Sequence, residues 1–415
     1  MASSTQSKRV ISVERLAPGL FIDLGLSWTR HPFLFRRFMI DSWEDVAVIQ
    51  GLTERVIYYP DKSRVAPRDA GEAVQSETGK DKQLWQQKKQ RMEQAKRYRA
   101  ERRRLQERYR ETTKRVAAFH KNLIIAPANA VHDADEIVQE IVASFEAESS
   151  IMINLVNLAG TDPGQYTHAL NVTVLALSLA RAEGYDGEAM RAIAQGALLH
   201  DIGKTAIPGR VLHKKTPLTE SEQKLLESHP LLGLKQVEQI TEVSRTAAGI
   251  IGGHHELLDG SGYPRGLQGD AVERETQLVA IANLYDRFCN PSDGTRGVAP
   301  KNAMAKLFSQ YSGRLEPALI QQFVKSMGVY PPGTLVQLSD GSTGVVVEVD
   351  PADLLHPRIL LYSPDIPRNE ALEVDLGERD DIEILDVISA QDCPDGIRQY
   401  LGLGNQLGYF FREGP

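Results

Sequence analysis

The period of the apolar residues changes along this chain, and the changes divide it. Between Val10 and Tyr59 the apolar runs are short (VISVERL, LFIDLGL, VAVIQGL, RVIYY) and broken by Gly, Pro and charged residues. That pattern predicts a small β-containing module, placed at residues 8–75 with the small, polar stretch SRVAPRDAGEAVQSETGK as its trailing linker. Residues 80–125 contain neither Gly nor Pro and are dominated by Gln, Glu, Lys, Arg and Ala, which predicts one long exposed helix. Its apolar positions Leu84, Trp85, Met92, Leu105 and Tyr109 are too sparse for a sustained heptad seam.

From about residue 130 to 332 the spacing becomes three-to-four and dense. ADEIVQEIVASFEAESSIMINLVNLAG, QYTHALNVTVLALSLARAEG and EAMRAIAQGALLHDIGK each read as an amphipathic helix ending near glycine. SEQKLLESHPLLGLKQVEQI, SRTAAGIIGGHHEL, RETQLVAIANLYDRF and PKNAMAKLFSQ continue the series, so this region is expected to be an all-α domain of seven or more helices. After Pro331–Pro332 the period drops to two. GTLVQLSDGSTGVVVEVD predicts a hairpin through Asp340–Gly341, and HPRILLYSPD and EALEVDL add strands. Residues 333–390 are thus a small C-terminal β appendage, with 391–415 left as a tail. The expected fold is multidomain and mainly α: an all-α domain flanked by a small N-terminal β-containing module with a long basic helix and by the β appendage.

Charge and composition narrow the partners. The net charge of −7 conceals a strongly basic helix, with 15 basic and 5 acidic residues from Lys80 to Arg115. Clustered cations attract phosphates, but aromatic interleaving is thin, no nucleic-acid motif accompanies them, and the apolar face is too weak to lie on a membrane. Nucleic acid is therefore not an expected partner. The helix is expected to pair with an acidic surface of its own chain or of a second subunit in a homo-oligomer. The 2 cysteines form no paired motif, which excludes a disulfide framework and a cysteine-based zinc site and suits a reducing compartment. The start lacks the apolar core of a signal peptide, and no apolar run is long enough to span a bilayer. A cytoplasmic enzyme or regulator is expected.

The candidate chemistry lies in the histidines. Of 10, six fall between His168 and His255, and several sit where helices end: His200–Asp201 in GALLHDIGK, His229 in ESHPLLG, His254–His255 before a glycine-rich turn. Burying several imidazoles without partners would cost about 1–3 kcal/mol each. Imidazole mixed with carboxylate suits hard or intermediate divalent ions, and the missing thiolates exclude a soft site. A shared metal site is the expectation.

Together, His168, HDIGK at 200–204, His229 and HHELLDGSGYP at 254–264 resemble an HD-GYP domain of the HD phosphohydrolase superfamily across about residues 150–330. The N-terminal module with its charged helix resembles a domain of unknown function found ahead of such domains. The resemblance implies an HD-type helical domain that hydrolyses cyclic di-GMP in bacterial second-messenger signalling, with either pGpG or GMP as the end product. It implies a metal centre of iron or manganese, with zinc, magnesium and nickel as further candidates. Carried over residue by residue, it makes His168, His200 and Asp201 ligands of a first metal, with Asp201 bridging. His229, His254 and His255 become ligands of a second. Two metals suit a phosphodiester because they neutralise nonbridging oxygen charge and supply the nucleophile. Lys204 matches a lysine that contacts phosphate or assists the leaving oxygen, which pairs it with Asp201 as a catalytic residue. Tyr263 shapes the surface for substrate or partner, and the GYP turn is the expected contact for a GGDEF-type signalling partner.

The chain departs from the family pattern in three places. Asn283 stands in VAIANLYDRF where the family's AD-x-x-D places a metal-binding Asp, with Asp286 three residues on. Asn offers a carbonyl oxygen without charge, so the first metal is expected to bind more weakly. The arginine-bearing segment that follows in the family is missing, which leaves Arg296 as the phosphate contact. Gly164 stands where three-metal relatives carry Glu, so two divalent ions are expected. Asn283 keeps a second function in play: a degenerate receptor that binds nucleotide or a partner without efficient turnover.

Overall fold

The computed structural model of the chain describes residues 8–26, 30–33, 35–69, 80–125, 127–147, 152–157, 165–238, 240–292, 295, 297–350, 352–379, 382–389, 392–403 and 407–412. Its contacts separate into two compact units. One comprises residues 1–100 with 338–342 and 361–373, the other 101–337 with 343–360 and 374–415.

In the first unit, strands β1 (Arg9–Ser12), β2 (Phe21–Asp23), β3 (Arg37–Met39) and, after helix α1 (Trp43–Leu52), β4 (Arg55–Tyr58) form an antiparallel sheet of order β1-β4-β2-β3. Its core is Leu16, Leu20, Ile22, Ile40, Val46 and Ile49, all fully buried. A capping box between Ser42 and Asp45 starts α1. Asp23 is buried and bonded to Arg36 and Arg37 at 2.5 and 2.8 Å.

Helix α2 (Lys80–Ile125) is the long basic helix, 46 residues in one piece. It is not simply exposed. Leu105, Tyr109, Val116 and Phe119 are buried in the core of the second unit. Their spacings of four, seven and three place them on one stripe, sparse by heptad standards yet sufficient to seat half a helix against other helices. Between Tyr109 and Val116, Arg115 pairs with Glu140 at 2.5 Å, an acidic residue of its own chain.

Helices α3 (Pro127–Ala147), α4 (Gln165–Ala182), α5 (Gly187–Leu199), α6 (Gly209–Leu212), α7 (Glu220–Glu227), α8 (His229–Val237), α9 (Arg245–Gly253), α10 (Arg274–Cys289), α11 (Pro300–Tyr311) and α12 (Pro317–Met327) build the helical domain. Helix α4 is buried nearly all round, with Leu170, Val172, Val174, Leu175 and Leu179 fully covered. It is the axis on which α5, α10 and α12 pack.

The domain is not all-α. The helix expected to run on from Asp133 through the apolar segment IMINLV stops at Ala147, and Met152–Asn157 is strand β5. It pairs antiparallel with β11 (Leu407–Arg412), from the stretch read as a tail, over the full length of both. Its other edge carries β7 (Thr343–Asp350). The C-terminal strands β6 (Leu335–Leu338), β7 and β10 (Ile384–Val387) therefore share one sheet with β5 and β11, in the order β10-β6-β7-β5-β11. Strand β8 (Asp353–Leu361) pairs with β7, and β9 (Glu373–Asp375) with β8. The hairpin at Asp340–Gly341 forms, with Gly341 at φ +81. Helix α13 (Asp395–Leu401) precedes β11. Among the described residues no helix is long and apolar enough to cross a membrane.

One close approach positions the site. Gly203 lies in the short 3₁₀ turn after α5, and a Cβ there would sit 2.0 Å from the His229 carbonyl oxygen and 2.4 Å from the Gly233 nitrogen. Only glycine lets this turn seat on α8. Gly203→Ala is expected to destabilise the domain by about 3 kcal/mol, since backbone cannot yield as a side-chain tip can. A thermal melt would read this as a drop of roughly 6–12 °C.

Candidate metal centre

Three helices end at one point. Helix α5 ends at Leu199 and is followed by His200, α7 ends at Glu227 two residues before His229, and α9 ends at Gly253 and is followed by His254. The last carbonyls of a helix have no intrahelical donor. Each histidine uses one: His200 Nδ1 lies 2.7 Å from Ala197 O, His229 Nδ1 2.7 Å from Leu226 O, and His254 Nδ1 3.1 Å from Ile251 O. A carbonyl only accepts, so each Nδ1 carries its proton and each Nε2 is left to face inward. His168, on α4, turns its Nδ1 onto the Asp286 carboxylate at 2.6 Å instead.

The inward nitrogens surround Asp201. Its Oδ2 lies 3.4 Å from His200 Nε2 and 3.8 Å from His168 Nε2, and its Oδ1 lies 3.2 Å from His229 Nε2 and 3.8 Å from His254 Nε2. One carboxylate oxygen thus serves each half of the site. Potential ligand atoms of His168, His200 and Asp201 lie within 4.8 Å of one another, as do those of Asp201, His229, His254 and His255.

The nitrogens face each other with nothing to share. His200 Nε2 and His168 Nε2 are 3.3 Å apart, and His229 Nε2 and His254 Nε2 are 3.2 Å apart. With every Nδ1 already protonated, at most one of each facing pair can carry a second proton. Burial holds the pKa values of His254 and His255 well below the ordinary range, reinforced by neighbouring imidazoles. His255 Nε2 and Asn283 Oδ1 are buried without a hydrogen-bond partner. The C-termini of α5 and α9 add negative potential at the same point, while at His229 the end of α7 is offset by the start of α8. Burial works to raise the Asp201 pKa, but the Lys204 ammonium and the surrounding histidines outweigh it and hold the carboxyl well below its usual value. Converging lone pairs, a carboxylate and helix C-termini make a receptor for cations. Divalent ions of intermediate hardness fit this donor set.

The other expected residues fall as follows. Lys204 Nζ sits 2.5 Å from Asp201 Oδ2. Asn283 is buried on α10, one turn before Asp286. The Tyr263 ring stacks on His255, centroids 4.4 Å apart at 23°. Arg296 lies outside the described residues, as does Gly164. In the turn, Gly260 takes φ +78, whereas Gly262 is required by space: a Cβ there would lie 2.4 Å from Leu257 N and 2.5 Å from His255 O.

Two acidic residues beyond that set shape the site. Asp286 is fully buried. Besides holding His168 through Oδ2, it accepts at Oδ1 from Asn171 and Asn290, both at 2.8 Å. Asn171 in turn accepts from the Tyr109 hydroxyl of α2 at 3.1 Å. Such a carboxylate fixes both the tautomer and the direction of an imidazole. Glu256, fully buried, accepts from the backbone N–H of Arg265 at 2.7 Å and of Leu267 at 2.9 Å, which pins the glycine-rich turn. Both stand inside motifs visible in the sequence, Asp286 in ANLYD and Glu256 in HHE, and those positions were the available signal.

Comparison with known proteins finds matches to two segments of the chain. Residues 150–319 match the family model described as HD domain, and residues 8–134 match a domain of unknown function, DUF3391. The chain is 29% identical over 305 residues to the cyclic di-GMP phosphodiesterase PA4108 of Pseudomonas aeruginosa, a match covering 72% of this chain and 73% of that one. It is 34% identical over 143 residues to the cyclic di-GMP phosphodiesterase response regulator RpfG of Xanthomonas campestris, covering 34% of this chain and 38% of that one. A solved structure of Bd1817, an HDG"Y"P protein from Bdellovibrio bacteriovorus, superimposes with a TM-score of 0.43 at 19% identity, covering 76% of this chain and 98% of that one. The ligand-type residues gathered at three helix ends lie inside the matched segment: the chain carries an HD domain over residues 150–319, with DUF3391 at its N-terminal side.

Proposed function

We propose that this chain is a metal-dependent phosphodiesterase of bacterial second-messenger signalling, acting in the cytoplasm on cyclic di-GMP and releasing pGpG and then GMP. The observation that carries this reading is the convergence of four Nε2 atoms on the two oxygens of Asp201, every Nδ1 being already committed. His168, His200 and Asp201 would hold one divalent ion, with Asn283 beside them; Asp201, His229, His254 and His255 would hold the second. Iron or manganese suits the set, and zinc, magnesium and nickel share its ligand preferences. Such ions supply charge neutralisation at phosphoryl oxygens and a more acidic water.

The protein's own residues do the rest. Lys204, 2.5 Å from Asp201, helps hold that carboxyl ionised and, being partly exposed, would offer positive charge to a departing oxygen. Asp286 keeps His168 in one orientation, so no reorganisation is needed when substrate arrives. Tyr263, stacked on His255, walls the second half-site, and Glu256 keeps the turn that carries it in place. The names of the relatives support the substrate: PA4108 and RpfG are both cyclic di-GMP phosphodiesterases.

Asn283 favours a second reading, a nucleotide receptor without efficient turnover, because a neutral ligand weakens the first half-site. Protein loaded anaerobically with iron or manganese is expected to convert cyclic di-GMP to pGpG and GMP, followed by chromatography. Retained nucleotide binding without product would replace the enzyme by the receptor.

A further inference from the structure

The carboxylate that holds His168 is itself tied to strand β11. Asp286 accepts at Oδ1 from two asparagines, Asn171 on α4 and Asn290 at the end of α10. Both asparagines also bond the backbone of β11. Asn290 Oδ1 accepts the N–H of Leu407 at 2.7 Å, and its Nδ2 donates to the Leu407 carbonyl at 2.9 Å. Asn171 Nδ2 donates to the same carbonyl at 3.0 Å, and its Oδ1 accepts the N–H of Tyr409 at 3.0 Å. A backbone N–H only donates and a carbonyl only accepts, so each side-chain amide has one allowed orientation. Helix α2 completes the network: the Tyr109 hydroxyl donates to Asn171 Oδ1, and its ring meets Phe410 edge-on with centroids 5.6 Å apart.

Asn171 thus uses both of its hydrogens and both of its lone pairs, and Tyr109, Asn171, Asp286 and Tyr409 are fully buried. A buried polar network with every member satisfied has one arrangement and resists distortion. Undocking β11 would take partners from both asparagines at once. Their amide planes would be free to turn, and Asp286 would no longer be fixed against His168. The other histidines have no such tie. His200, His229 and His254 each turn Nδ1 onto a carbonyl three residues back in their own helical turn. Of the four inward nitrogens, the one on His168 depends on a distant segment of chain.

Resting on the metal-centre part of the proposed function and not on its substrate, we propose that Asn171 and Asn290 are positioning residues. Through them the docking of β11 sets the metal affinity of the first half-site and leaves the second unaffected. Linkage makes the coupling run both ways: an ion at the first half-site holds β11 in place by the same factor.

Full-length, metal-free protein is titrated with manganese, the free ion being read by electron paramagnetic resonance. Asn290→Ala and Asn171→Ala are each expected to weaken one of two ions about tenfold or more and to leave the other within about threefold. Asn290 is only half-buried, so its variant carries the test if Asn171→Ala does not fold. Leu319→Ala, a core truncation on α12 that removes none of these hydrogen bonds, supplies a loss of stability and is expected to leave both affinities unchanged. Peptide-resolved hydrogen exchange reads the reverse direction. Manganese is expected to slow exchange in β11 about threefold more than in β6, and Asn290→Ala to abolish the difference. Unchanged affinities in Asn290→Ala, an equal fall at both ions, the same split in Leu319→Ala, or equal slowing in β11 and β6 overturns the inference alone. A single bound ion that Asn290→Ala weakens supports the inference and overturns the two-ion reading. Parent protein that binds no manganese overturns both.

Discussion

Asp201→Asn is expected to reduce phosphodiester hydrolysis about 10³-fold, close to 4 kcal/mol of lost transition-state stabilisation, and to lower bound metal at both half-sites together. The loss is shared because Oδ1 faces His229 and His254 while Oδ2 faces His168 and His200. Removing one histidine spares half the cluster; removing this charge spares neither half. Asn keeps the volume, so the helices around the site should remain in place. Lys204 loses its 2.5 Å partner and is partly exposed, so it can turn to solvent instead of remaining as a buried charge. Metal content by mass spectrometry, alongside turnover, checks the expectation. A variant that keeps two ions per chain and near-normal activity would remove Asp201 from the bridge.

How far the site could be read from the sequence depended on what each residue does. His200, Asp201, His229, His254 and His255 stand next to helix ends, glycine or proline, where the chain itself marks a change of direction. His168 needed the family pattern, because on an apolar helix it looks like any core histidine. Asp286 was visible three residues past Asn283, but its function was not: its bond to His168 spans 118 positions and exists only after α4 and α10 pack. The fold shows the same limit. Dense apolar residues ending near glycine or histidine marked α4, α5 and α9 as helices, although α4 is buried nearly all round. Strand β5 was lost to the preceding helix because its pairing partner, β11, lies some 250 residues away. The seating of α2 was missed for a related reason. Leu105, Tyr109, Val116 and Phe119 are few, and their burial is set by the helices they meet.

Asn283→Asp is the converse of the first substitution. It is expected to raise affinity for the first metal about tenfold or more, and to raise kcat/KM by a similar factor when metal is limiting. Asn283 Oδ1 is buried without a hydrogen-bond partner, a state that costs about 1–3 kcal/mol unless a cation or another donor meets it. A carboxylate there would meet the cation with a full charge. It would also stand near Asp286, one turn away on the same helix, and close to the half-site that Asp201 already supplies with negative charge. In metal-free protein the added charge has no partner, so apo Asn283→Asp is expected to melt below the apo parent. In metal-loaded protein the order reverses. The two melts separate a ligand from a packing residue: a polar residue that merely fills space would move both in the same direction. If neither the metal dependence of the melt nor the affinity changes, Asn283 does not face the ion, and weak binding at the first half-site must come from elsewhere. If affinity rises while turnover does not, the asparagine marks a chain that binds its nucleotide without efficiently cleaving it.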